Sequence, residues 1–149
     1  MVSFYGPDNI AFDRSRKLYV TDSDGRTIAR VLVLTPDGRL VAQWHVFAAA
    51  EGGSGYGPEG IALDRSGNVL VTDAARGSVI ELTPQGKLTK TLGKPAAFPN
   101  LGHVAVDAQG NVYVAQAQPN LLEKLSSSGS LLERWHRKSG SKPNEWDGP

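Results

Sequence analysis

Residues Pro58 to Leu88 read PEGIALDRSGNVLVTDAARGSVIELTPQGKL, and this stretch decides the fold. Short apolar runs alternate with turn residues along it. Ile61-Ala62-Leu63 ends at Asp64, and Arg65-Ser66-Gly67-Asn68 turns the chain. Val69 to Thr72 forms a second run ending at Asp73, Ser78 to Leu82 a third, and Thr83-Pro84-Gln85-Gly86 leads into a fourth at Leu88. Runs of this length, rich in Val, Ile, Leu and Thr and bounded by Gly, Asp, Asn and Pro, predict strands rather than helices. Gly67 suits a position with φ above zero, where a Cβ would be penalised.

The same pattern occurs twice more. GPDNIAFDRSRKLYVTD spans Gly6 to Asp22, GPEGIALDRSGNVLVTD spans Gly57 to Asp73, and NLGHVAVDAQGNVYVAQ spans Asn100 to Gln116. The second halves repeat as well: TIARVLVLTPDGRLVAQW from Thr27, SVIELTPQGKLTKTL from Ser78 and LLEKLSSSGSLLERW from Leu121. Each carries a turn glycine, at Gly38, Gly86 and Gly129. The first unit has Arg16 where the others have Gly67 and Gly110, which implies either local strain or a different turn there. The first unit also carries an extra run before its second turn, and the third ends in Ala-Gln where the others have Thr-Asp. Units of roughly 40 to 50 residues with four strands each are the signature of a β-propeller blade.

Composition agrees with a turn-rich, all-β globular domain. The 149 residues are 40% hydrophobic and 21% charged, with 17 Gly and 9 Pro. Sixteen basic residues against 15 acidic ones leave a formal charge of +1, which argues against a nucleic-acid module. With no cysteine, disulfides, thiolate metal sites and cysteine nucleophiles are excluded. MVSFYGPDN lacks the basic and apolar regions of a signal peptide, and apolar runs such as Val31 to Leu34 are far too short to span a bilayer. The expectation is a soluble chain of unassigned compartment, with no membrane span.

Pro-x-Gly-Ile-Ala-x-Asp, then Gly-Asn-Val-x-Val-x-Asp, then an apolar strand and Gly-Lys-Leu, as they stand in Pro58 to Leu88, resemble the NHL repeat. The resemblance covers almost the whole chain and implies a single three-blade segment of an NHL-type propeller. The blades are expected at about residues 6–56, 57–99 and 100–138, with 139–149 as a linker towards a next blade. Such propellers most often have six blades. A free half ring would expose two apolar flanks, a costly state at roughly 25 cal/mol per Å². The expected partner is therefore a second copy, completing six blades as a C2 homodimer. An incomplete fragment without independent activity is the bland alternative.

In a propeller the first strand of each blade lines the channel. The upstream ends of these strands put Asp8, Asn9, Glu59 and His103 around one mouth, the expected ligand-binding set, together with Asp22 and Asp73 after the second strands. Each has a structural reading beside the functional one: a polar channel lining for the first four, and a bond to a neighbouring loop or blade for the last two. Asp13, Asp64 and Asp107 end the first strands and are read as acceptors of turn N–H groups. His103 is the one candidate metal ligand. GHVAVDAQGNVYVA resembles a segment of the NHL-like peptidyl-hydroxyglycine lyase, where the resemblance implies zinc held by histidines near the axis. Only one of the three repeats offers a His at the mouth, short of the three protein ligands of a catalytic zinc site, so no cofactor is expected, with zinc or calcium as the exceptions. His45, the insertion Val46 to Gly57 and the basic run Arg134 to Lys142 carry weaker signals, and no nucleophile elbow or phosphate loop is present. The sequence thus favours a binding or scaffold module for protein, peptide or carbohydrate. A metal-assisted lyase or hydrolase is the alternative.

Overall fold

The computed structural model describes residues 2–45, 57–93, 98, 100–118 and 120–136. Twelve strands are found among them: β1 Pro7–Phe12, β2 Leu18–Ser23, β3 Ala29–Leu34, β4 Leu40–Trp44, β5 Pro58–Leu63, β6 Val69–Asp73, β7 Ser78–Leu82, β8 Leu88–Leu92, β9 Leu101–Val106, β10 Val112–Gln116, β11 Leu121–Leu125 and β12 Leu131–His136. They pair as three antiparallel meanders, β1 to β4, β5 to β8 and β9 to β12. Each sheet supplies all four of its own strands.

The period of two along each strand sends side chains to alternate faces, and the faces pack on neighbouring sheets. Tyr19, Val31, Val33 and Trp44 of the first sheet meet Ile61, Val69, Val71, Ile80 and Leu82 of the second. Leu70, Val79 and Leu92 on the second sheet's other face meet Leu101, Val104, Val112, Val114 and Leu125 of the third. Middle strands are covered on both faces, so β6 is buried throughout. A smaller cluster, Val20, Leu32 and Leu34 with Val2 and Leu18, lies on the first sheet's far face.

β1, β5 and β9 lie side by side as the inner strands. Buried threonines tie each sheet to the next. Thr21 Oγ1 donates to the carbonyl of Glu59 at 3.0 Å and accepts from the amide of Asn9 at 2.9 Å. Thr72 Oγ1 donates to the carbonyl of Gly102 at 3.0 Å and accepts from the amide of Gly60. The third sheet has Ala115 at this place.

The first-to-second strand turns are alike in all three sheets. Arg16, Gly67 and Gly110 take φ of 64, 84 and 85°, and each donates its amide to the aspartate carbonyl three residues earlier. Arg16 therefore adopts the same turn under strain rather than a different one. The extra run of the first sheet is closed by Asp24, which accepts the amides of Arg26, Thr27 and Ile28 and the hydroxyl of Thr27. These bonds, with that of Ile28 foremost, hold its carboxyl far below the usual range. Among the described residues no helix is long and apolar enough to cross a membrane.

Candidate functional site

Register equivalence places Asp8-Asn9, Glu59-Gly60 and Gly102-His103 at the same upstream end of the three inner strands. β5 and β9 approach closely there. A Cβ on Gly60 would stand 2.8 Å from His103 Cα and from the amide nitrogen of Val104. With no side chain at Gly60, the side chains of the outer two sheets meet across the middle one, and Asn9 Nδ2 lies 3.0 Å from His103 Nδ1. The amide donates if the imidazole carries its proton on Nε2.

Glu59 comes from the middle sheet of this group. Burial pushes its carboxyl above the ordinary value, the Asp8 carboxylate adds to the rise, and His103 opposes it. A cleft of about 280 Å³ beside Glu59 is lined by Ala74, Asn100, Leu101, Gly102 and Ala117. Four of the six expected residues, Asp8, Asn9, Glu59 and His103, therefore lie together at one end of the inner strands. The arrangement offers carboxylate acceptors, an amide and an imidazole to a polar ligand. Among the described residues no three His, Asp or Glu side chains gather about one point.

Asp22 and Asp73 have other partners. Asp22 is fully buried; its Oδ1 accepts the amides of Tyr5 and Gly6, and its Oδ2 accepts Arg30 Nε at 2.7 Å. Arg30 in turn donates to Gln43 and to the Ser3 carbonyl and lies over the Tyr5 ring, pinning the amino-terminal segment to the first sheet. Asp73, 3% exposed, accepts the amide and the guanidinium of Arg76. Gln116 donates to Glu123, which also accepts Arg134, so the third sheet moves its buried acid from β10 to β11. The carboxylate oxygens of Asp22 and Asp73 are thus already engaged, whereas the buried Oε1 of Gln116 has no partner among the described residues.

Asp13, Asp64 and Asp107 accept turn amides, from Lys17, from Ser66 and Asn68, and from Gln109 and Asn111 respectively. Sequence reasoning left the opposite end of the inner strands at that. The three turns converge on a cleft of about 600 Å³ whose walls include Phe12, Arg14, Arg65 and Val106. The signal was present in the recurrence of the turns at one end of equivalent strands. His45 follows the outermost strand β4 and contacts the side chain of Gln43. The insertion at 46–56 and most of the basic run and tail, 137–149, lie outside the described residues.

Three meandering sheets packed face to face about shared inner strands define a segment of a β-propeller. Residues 6–101 match the SMP-30/gluconolactonase/LRE-like region, and the chain belongs to that family. It is similar in fold to a streptogramin B lyase (17% identity, TM-score 0.69), with 91% of this chain and 42% of that one covered. A catalytically inactive virginiamycin B lyase from Staphylococcus aureus, solved with quinupristin, is similar at 16% identity and TM-score 0.66, over 89% and 42%. A chain of a nidogen/laminin complex is similar at 21% identity and TM-score 0.70, over 91% and 49%. This chain therefore spans less than half the length of these solved chains. No curated protein sequence matches it.

Proposed function

We propose that the chain is an NHL-like half propeller that acts as a binding module, completed to six blades by a second copy, with its ligand held at the axial mouth. The observation that carries this reading is the Asn9–His103 hydrogen bond at 3.0 Å, spanning the first and third sheets beside the half-buried Glu59. Donors and acceptors from three separate segments converge there on rigid strands, as a specific polar site requires. Peptide and carbohydrate both have the alternating donor and acceptor chemistry that such a set would recognise. The test is to probe glycan and peptide arrays with the labelled protein, then with His103→Ala and Glu59→Gln. A common bound motif lost in both variants supports the reading. A motif retained equally by both places the ligand elsewhere.

A metal-assisted lyase or hydrolase is the second reading. Membership of a family described by a lactonase, and fold similarity to lyases, favour it. Closing the ring would bring a second His103, Glu59 and Asp8 to the same axis. Stoichiometric zinc or calcium in the purified protein, lost in His103→Ala, would favour the enzyme. Metal-free protein, unaltered in stability by chelator, would favour the binding module.

A further inference from the structure

The middle sheet receives an anchor from the first sheet and gives one to the third. Trp44, the last residue of β4, is 8% exposed and lies on Gly86 in the β7–β8 turn; a Cβ there would stand 2.5 Å from three indole atoms. Leu92, the last residue of β8, repeats the contact on Gly129, where a Cβ would come within 3.2 Å of it. Gly38 is the corresponding glycine of the first sheet, with φ of 82° beside 81 and 89° at the other two. Among the described residues nothing lies within 4 Å of its Cβ position. Instead Gly38 borders a cleft of about 350 Å³ whose walls include Val2, Tyr5, Leu32 and Leu40. Among the described residues, this seat has no counterpart of Trp44 or Leu92 over it.

The third sheet holds an anchor without a seat. Trp135 pairs with Leu122 as Trp44 pairs with Val31 and Leu92 with Val79. It stacks on Tyr113 at 6.4 Å between ring centroids, as Trp44 leans on Tyr19 at 5.8 Å. Trp44 and Tyr19 are buried by the second sheet, whereas Trp135 and Tyr113 are only half-buried. The flank around the seat continues the match. Ile10 and Phe12, 56% and 61% exposed, occupy the places of Ile61 and Leu63, which face the first sheet.

We propose that Trp135 of one copy seats over Gly38 of a second copy, and reciprocally, so that two such joints close the ring. The inference rests on the completion of the ring by a second chain and names the contact that does it. A second copy is the occupant the page favours, because this chain carries both halves of the joint in the register of the two joints it makes internally. A twofold axis along the channel then satisfies both flanks at once. The joint departs from the one the first sheet makes in two places. Ala115 lacks the hydroxyl of Thr21 and Thr72, and Lys124 with Glu133 forms an ion pair where the first sheet has Val33 and Ala42, although the second sheet has the ion pair Glu81–Lys90 at the same place. The missing hydroxyl, present at both internal joints, makes this joint the weaker one.

Sedimentation equilibrium over a range of concentrations tests the proposal on the whole chain, Trp135→Ala and Leu40→Lys. The wild type is expected to approach twice its 15.9 kDa mass as concentration rises. Both variants are expected to raise the dissociation constant by about tenfold or more, as loss of a central Trp contact does. Trp135 lies at a sheet edge and Leu40 is half exposed, so the far-ultraviolet circular dichroism of both variants should match the wild type. A wild type that stays monomeric throughout overturns ring completion and the seat together. A dimer equally tight in both variants overturns the seat alone and assigns association to another surface.

Discussion

Asn9 and His103, 94 residues apart in sequence, meet side chain to side chain at 3.0 Å, and the residue between them in the row of inner strands is Gly60. The glycine is what lets β9 come this close to β5. Gly60→Ala would put a methyl 2.8 Å from backbone atoms of His103 and Val104, which cannot rotate away as a side chain could. Overpacking of this kind costs about 1–3 kcal/mol. Urea unfolding should show a loss of that size, and the His103 ring resonances should shift as β9 is displaced.

Glu59 gives the mouth a pH dependence whose sign follows from its surroundings. Its folded value lies above its ordinary 4.5, so the native state holds the proton more tightly than the unfolded chain. The stability this contributes is fully present below the ordinary value and is lost as pH rises through the folded one. Glu59→Gln removes the ionisation. The melting temperature of Glu59→Gln relative to wild type should therefore rise across that interval and stay level at neutral pH. A difference that is constant across the whole acid range would mean that the carboxyl is not desolvated.

The sheets and their turns were legible in the sequence for one reason: each is written three times. Recurrence fixed the strand ends, and strand ends fixed which residues share the upstream rim. What recurrence does not encode is how a conserved place is used. Asp22 and Asp73 occupy one position, yet Asp22 is engaged by Arg30, which lies across the hairpin and belongs to the first unit's extra run, while Asp73 turns to its own loop. Gln116 reads as a lost charge, yet the charge reappears at Glu123 on the paired strand. That no described residue lies over Gly38 was equally hidden, because its glycine is identical in sequence to two that are covered.

That difference between the two aspartates is measurable. Asp22→Ala would leave Arg30, whose side chain is 10% exposed, and the amides of Tyr5 and Gly6 without their acceptor. Breaking a buried pair costs about 3–5 kcal/mol. In Asp73→Ala the side chain of Arg76 is already 45% exposed and water can take it. Its loss should be closer to about 1 kcal/mol. Equal losses in parallel urea titrations would contradict the buried role of Asp22.

Arg16 is the strained member of three equivalent turns, at φ of 64° where the others have glycine. A left-handed conformation costs a non-glycine residue roughly 1–2 kcal/mol, offset in part by the extra unfolded-state freedom of glycine. Arg16→Gly should therefore raise stability by about 0.5–1 kcal/mol. The control is Gly67→Arg in the second turn, which should lower it by a similar or larger amount.

Ala115 stands where Thr21 and Thr72 each send a hydroxyl to the carbonyl of the next inner strand, at Glu59 and Gly102. Continuing the series, a threonine at 115 would reach the carbonyl at position 8 of the second copy once the ring is closed. A net hydrogen bond contributes about 0.5–1.5 kcal/mol, and a C2 ring makes the contact twice. Ala115→Thr should therefore strengthen dimerisation by roughly one order of magnitude or more, since every 1.4 kcal/mol is tenfold. The same substitution in a Trp135→Ala background should restore part of the lost association, because the two contacts lie on one joint. A threonine that leaves the dissociation constant unchanged would show that the third sheet does not meet β1 of another copy in the register that the first two joints follow.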